Sequence, residues 1–353
     1  MTTPPRATAT ETAATTVTTA APTPTPPATT MTMVEAINSA LLLEMRRDER
    51  VLALGQDIGR LGGVFRATNG LLDEFGTDRV VDMPLAEAAI IGSALGLAVS
   101  GLVPVAEIQF LGFTHQAFHQ IGAQVARYRY RSQGRHQIPL TIRAPFGGGV
   151  RTPELHSDAL EAHFVHSPGL KVVMPSTPYD AKGLLLSAIR DPDPVLFCEP
   201  LKGYRLVKGE VPDGDYTVDF GKAAVRRQGT DVTLVAWSAA VHLAEQAARV
   251  LDAEGVSATV LDLRTLVPLD VDGLVDAVAA TGRCVVVQEA PLSAGFGAEV
   301  VATLSGGRAF HTLEAPIERV TAPDLPYPGA AFEDLYLPTV DTVVAAARRA
   351  MEA

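Results

Sequence analysis

The sequence predicts an α/β protein of two domains, each built on a mostly parallel sheet. Three observations carry this. Short apolar runs of strand length alternate with helical patterns, as they do when strands are buried on both faces. A polar connector with Gly209, Pro212 and Gly214 interrupts that alternation near the middle. The 353 residues also exceed what one ordinary core accommodates.

The elements follow in chain order. Residues 1–31 are almost wholly Thr, Ala and Pro. They lack apolar periodicity, so a disordered tail is expected. No basic stretch precedes an apolar one, which excludes a secretory signal, and Arg6 alone makes a poor transit peptide. The expected location is cytoplasmic, or the mitochondrial matrix in a eukaryote. The first domain is read over 32–205, with strands at 51–55, 103–108, 140–143 and 195–198 and a helix over 179–189. A linker is expected over 206–218. The second domain, 219–353, has strands at 232–236, 257–261 and 284–287. Its helix over 241–254 ends at Gly255, a residue that closes helices in the left-handed conformation.

One stretch reads like a membrane span. Residues 88–106 are uncharged and close to spanning length. Gly101 and Pro104 break the run and Glu107 ends it, so a buried helix and strand explain it better than a membrane does. The net charge of −11 argues against nucleic acid as a partner. Cys198 and Cys284 sit in apolar runs and read as buried, reduced thiols.

Three segments carry chemistry. Met83-Pro84-Leu85-Ala86-Glu87 places one carboxylate at the start of an apolar helix. Such a residue is often only a favourable charge at the helix dipole. Its apolar flanks imply burial, and a buried carboxylate needs a partner. Residues 106–113 contain Gln109 and Phe113. The run Phe146-Gly147-Gly148-Gly149, suited to close backbone approach, precedes His156. His156, Ser157 and Asp158 are consecutive, so they cannot form a hydrolase triad by themselves. No Gly-x-Ser-x-Gly elbow, P-loop or Gly-x-Gly-x-x-Gly occurs.

Together these segments resemble the β subunit of the thiamine-diphosphate-dependent 2-oxo acid dehydrogenases, the E1 component of the branched-chain 2-oxo acid and pyruvate dehydrogenase complexes. The resemblance runs from about Glu35 to the C-terminus. It implies a transketolase-type fold: a pyrimidine-binding domain, then a C-terminal domain that supports dimerisation and docking of the acyltransferase core. By resemblance, Glu87 hydrogen-bonds N1′ of the aminopyrimidine and so promotes the imino tautomer that takes the thiazolium C2 proton. Leu85 would touch cofactor or substrate, and Gln109 would lie near the ring. Phe113 would pack on the ring face, where branched-chain members often carry Tyr. His156 would line the substrate channel, stabilising charge or assisting acyl transfer. His163 and His166 read as packing residues. His115 and His119 stand where relatives vary or are acidic.

The resemblance also implies a structural monovalent cation, potassium, held largely by backbone carbonyls. The matching residues are Ile138, Leu140, Ala188, Asp191 and Asp193, and a hard cation prefers such oxygen donors. The chain lacks the Gly-Asp-Gly…Asn pattern that binds diphosphate and Mg²⁺ in thiamine enzymes. The implied assembly is therefore an α2β2 heterotetramer in which the E1 α subunit holds Mg²⁺ and shares the thiamine diphosphate. The same absence argues against a single-chain enzyme of transketolase type. The implied reaction is oxidative decarboxylation of a 2-oxo acid with acyl transfer to the lipoyl group of an E2 acyltransferase. Val64-Phe65, residues 107–110, Tyr128-Arg129-Tyr130-Arg131 and residues 197–200 read closer to branched-chain members, with pyruvate as the alternative. A non-catalytic assembly subunit would have no need to keep Glu87, Phe113 and His156 together.

Overall fold

The computed structural model describes residues 27–353. Its strands are β1 (Ala28–Thr32), β2 (Val51–Gly55), β3 (Val80–Asp82), β4 (Val103–Glu107), β5 (Thr141–Phe146), β6 (Lys171–Val173) and β7 (Val195–Pro200). There follow β8 (Lys208–Pro212), β9 (Ala224–Arg227), β10 (Val232–Ala236), β11 (Ala258–Asp262), β12 (Thr265–Val267), β13 (Cys284–Pro291) and β14 (Glu318–Ala322). Seven form one sheet in the order β12-β6-β7-β5-β4-β2-β3, and five form another in the order β14-β13-β10-β11-β9. Pairing is parallel except at the edges β12 and β9.

The expected strands are present, and the reason is burial. Every residue of β2, β4, β5, β7, β10 and β11 is buried, as their near-continuous apolar character requires. The helices Met33–Arg47 and Pro178–Arg190 cover one face of the first sheet and share a core. Thr32 and Glu35 form a capping box at the start of the first of these. Their hydrogen bonds hold the Glu35 carboxyl below its usual pKa. The run 88–106 resolves into the helix Glu87–Val99 and then β4. Among the described residues no helix is long and apolar enough to cross a membrane. Cys198 and Cys284 are buried and unpaired with each other.

Two expectations are corrected. The disordered tail was expected to reach residue 31, but residues 28–31 belong to β1; the rest of it lies outside the described residues. The expected linker is not free either, since β1 pairs antiparallel with β8 across Ala28↔Pro212 to Thr32↔Lys208. Each polar segment satisfies the other's backbone groups, a long-range pairing that composition does not reveal.

The two domains interlock. The edge strand β12 comes from the second half of the chain yet pairs with β6 of the first sheet, and Met174 N donates to Arg264 O at 2.8 Å. Beside it Ser176 Oγ donates to the buried Asp262 carboxylate, and Arg264 Nη1 donates to Asp180 Oδ1 at 3.0 Å. Burial pushes the Asp262 carboxyl up to about 7.

This has a sign for stability. Unfolded, an aspartate ionises near about 3.9. Between that value and about 7 the folded state retains a proton that the unfolded chain has lost, so stability falls as pH rises through this window. Asp262→Asn should flatten that part of the pH–stability curve, a difference on the order of 1–4 kcal/mol. Urea unfolding of both proteins across the window checks it; parallel curves would show that Asp262 is not the group responsible.

Candidate active site

The carboxyl ends of the central strands converge on charge. Glu107 ends β4, Arg143 lies in β5 and Glu199 lies in β7. Arg143 is 1% exposed. Its Nη1 donates to Glu107 Oε2 at 2.7 Å, its Nε to Glu199 Oε1 at 2.7 Å and its Nη2 to Glu199 Oε2 at 2.9 Å. The Tyr204 hydroxyl also donates to Glu199. Burial alone would lower the pKa of the guanidinium, but Glu199 and Glu107 outweigh it and keep Arg143 charged. Burial pushes the Glu107 carboxyl up against the pull of Arg143. Sequence reasoning passed over this cluster. Its signal was visible: one arginine and two glutamates inside otherwise apolar strands, each of which needs a partner when buried.

The chain leaves β3, and residues 83–86 lead into the helix Glu87–Val99. Ala86, at the N-cap, offers no side-chain hydrogen bond, and Glu87 is the first helical residue. Its side chain is 8% exposed, yet it lines a cavity of about 460 Å³ with Leu85, Gly112, Phe113, His115 and Leu155. No side chain among the described residues engages the Glu87 carboxylate. Its oxygens are not sealed off, and the cavity that Glu87 lines is where a donor would reach them.

Phe113 lies in the short helix Leu111–Ala117, half-buried, with its ring 5.3 Å from Phe110 in an edge arrangement. The His156 ring packs on both, 4.5 Å from Phe110 and 5.0 Å from Phe113, and its Nδ1 lies 3.1 Å from Glu154 O. Gly112 makes this possible. The Leu155 carbonyl rests where a Cβ would project, so any side chain at 112 would drive the His156 segment away. The structure thus brings Leu85, Glu87 and Phe113 together around one cavity, and His156 packs on Phe113 without lining it. Gln109 turns elsewhere, donating from Nε2 to Asp57 Oδ2 at 3.0 Å. His115, set aside by sequence reasoning, lines the cavity, with its ring 6.0 Å from that of His163. Burial, then the neighbouring His115, lowers the His163 pKa.

The glycine run Gly147-Gly148-Gly149 does make a close backbone approach. It approaches the second domain closely, not the cavity: the Tyr327 hydroxyl occupies the space a Gly148 side chain would need, and Gly148 N donates to Glu289.

The five residues read as a cation site do assemble, at the junction of β5 with the end of the helix Pro178–Arg190. Ile138 N donates to Pro192 O at 3.0 Å. The carboxylates there are already engaged. Lys171 Nζ lies 2.6 Å from Asp191, and Arg129 Nη1 lies 2.6 Å from Asp193. The carbonyls of Ile138, Leu140 and Ala188 each accept a backbone N–H. A cation here would rely on second lone pairs of carbonyls, and among the described residues no cluster of three His, Cys, Asp or Glu has metal-binding geometry.

Larger cavities lie elsewhere. One of about 840 Å³ opens between the domains, where the buried Asp180 is bonded to Arg264 and Thr177. Another of about 1190 Å³ is lined by Tyr130, Pro168 and Val267. Neither presents a buried carboxylate in need of a donor beside an aromatic face, so the smaller cavity is the candidate site.

Comparison with known proteins adds to this geometry. Residues 29–206 match the family described as Transketolase, pyrimidine binding domain, and residues 221–343 match Transketolase, C-terminal domain. The chain is 53% identical over 322 residues to the pyruvate dehydrogenase E1 component subunit beta of Bacillus subtilis, covering 91% of this chain and 99% of that one. The identically named protein of Staphylococcus aureus also matches at 53% identity with the same coverage. Among solved structures, a split gene transketolase described as an inactive beta4 tetramer superimposes with a TM-score of 0.73 at 24% identity, covering 91% of this chain and 98% of that chain. That likeness speaks to the fold alone.

Proposed function

Because the chain belongs to the E1 β-subunit family of the thiamine-diphosphate-dependent 2-oxo acid dehydrogenases, we propose that it supplies half of the active site of a pyruvate dehydrogenase E1 component. The observation that carries this reading is the Glu87 carboxylate, buried beside Phe113 and without a donor among the described residues. The preference for branched-chain substrates drawn from local segments gives way here. The relatives that span nine-tenths of the chain at 53% identity carry the pyruvate name, which supports the pyruvate alternative.

The residues fit the pyrimidine end of thiamine diphosphate. A flat heteroaromatic ring needs an aromatic face and an acid at hydrogen-bond distance, and Phe113 and Glu87 offer both. Thiamine diphosphate supplies, when bound, the carbanion chemistry that decarboxylation requires. The chain's own part is to position and to move protons. Glu87 holds a proton toward the ring nitrogen. Phe113 and Leu85 would hold the ring from the cavity wall. His156, packed on Phe110 and Phe113, would serve as a donor to developing negative charge or as a proton carrier in acyl transfer to lipoate.

The diphosphate end lies beyond this chain's means. We propose that an α subunit provides it with Mg²⁺, in an α2β2 assembly that serves a lipoyl E2 acyltransferase. The sequence has no diphosphate-binding pattern, and the cavity walls are largely apolar.

Calorimetry with thiamine diphosphate and Mg²⁺ tests the division of labour. The expected result is no binding to this chain alone and tight binding to the reconstituted assembly. Mg²⁺-dependent binding to the isolated chain would contradict it. The same assembly should favour pyruvate over branched-chain 2-oxo acids in kcat/KM, and the reverse order would restore the branched-chain reading.

A further inference from the structure

The segment that carries His156 is held from outside its own domain. Between β5 and the short helix Glu161–Val165 the backbone enters the left-handed region at Gly147, Gly149, Arg151 and Leu155. For Arg151 and Leu155 that conformation persists only under external restraint. The restraint comes from the second domain. Glu333, 1% exposed, accepts a hydrogen bond from Tyr327 Oη at 2.6 Å and another from Arg151 N at 3.1 Å. The Tyr327 hydroxyl also rests against Gly148 and beside Ser157, the residue that follows His156. Thr152 and Ser157 bond each other through their hydroxyls and close the loop. The Arg151 guanidinium adds a bond to Ala330 O at 2.7 Å. On its other side the loop meets Gly112 through Leu155, and the His156 ring meets Phe110 and Phe113.

We propose that Tyr327 and Glu333 are positioning residues for His156, clamping residues 148–157 so that the imidazole stays on the Phe110 and Phe113 rings. Neither touches the cavity, and each acts through the loop backbone. The proposal rests on the reading of His156 given above only where it concerns acyl transfer. The second domain then has a part in the active site of its own chain, because Glu333 and Tyr327 lie about 180 residues from Arg151 and Gly148 yet fix their backbone. This also accounts for a buried carboxylate with no ion pair among the described residues: its partners are a hydroxyl and one amide of the loop.

The test uses the full chain assembled with its α subunit, as Tyr327→Phe and Glu333→Gln variants. Both are nearly isosteric, and global unfolding is followed in parallel to separate loop effects from misfolding. Amide hydrogen exchange over residues 148–158 is expected to quicken about tenfold, as loss of one hydrogen bond to a buried charged group implies. The rate of lipoyl-domain acylation is expected to fall while decarboxylation with an artificial acceptor holds. In a His156→Ala background the same substitutions should add no further loss of acylation. Unchanged exchange in both variants overturns the clamp. A loss that persists undiminished in the His156→Ala background overturns the link to His156. An undiminished acylation rate in His156→Ala alone overturns the reading of His156 itself, and exchange then decides the clamp separately.

Discussion

Glu87→Gln should cut pyruvate decarboxylation by the assembled enzyme roughly 10²–10⁴-fold while leaving folding and assembly intact. The geometry gives the reason. Glu87 opens a helix without acting as its cap, and it is buried beside an aromatic ring at the edge of a cavity. A glutamine there keeps the shape and can still hydrogen-bond a ring nitrogen. It cannot take up and release the proton that the chemistry requires. Stability should change little, because no partner among the described residues loses a bond. Steady-state rates, cofactor affinity and unfolding curves of the two assemblies decide the matter. A wild-type rate would remove Glu87 from the role proposed. A large loss of folded protein would reassign it to structure.

The second large effect is one of stability. Arg143→Met should destabilise the chain by about 3–5 kcal/mol, because it strands two buried carboxylates beside each other. Glu107 and Glu199 both depend on this guanidinium, with Glu199 receiving two of its hydrogen bonds. The deficit should shrink as pH falls. Without Arg143 the Glu107 carboxyl, already raised by burial, loses the charge that lowers it, and such a group contributes most when protonated. Tyr204→Phe removes one hydrogen bond to the same cluster and should cost about 1.5–3 kcal/mol. Urea unfolding in mildly acidic and mildly alkaline buffers measures both. An Arg143→Met protein as stable as the parent, or a deficit that grows as pH falls, would contradict this account. Tyr204, bonded to Glu199, packs on Phe65, which packs on Phe110, so loss of the cluster should also blunt activity through the positions of Phe110 and Phe113.

The site was legible in proportion to how local it is. Glu87 could be singled out because an acid at the head of an apolar helix is conspicuous within a few residues. Phe113 and His156 could be named only through resemblance, since an aromatic and a loop histidine are ambiguous by themselves. Gln109 shows the limit of that carry-over: its partner is Asp57, 52 residues away. The glycine run was correctly read as a place of close approach, but what it approaches, Tyr327 and Glu289, comes from the other end of the chain. The cation residues assembled too, but Lys171 and Arg129 engaged their carboxylates, and neither pairing has a local sequence signature.

The sequence by itself determined the α/β class, the principal buried strands and the helix that Glu87 begins. These follow from hydrophobic periodicity and caps, which act over a few residues and so are written locally. Tertiary structure alone decided three things: the pairing of β1 with β8, the crossing of β12 into the first sheet, and the hold of Glu333 and Tyr327 on the His156 loop. Each joins segments far apart in the chain through backbone groups or single buried polar atoms. Every residue carries the same backbone donor and acceptor, so sequence does not mark which distant partner will satisfy them. That choice is made when the apolar faces pack and leave each buried polar group only the neighbours that packing brings.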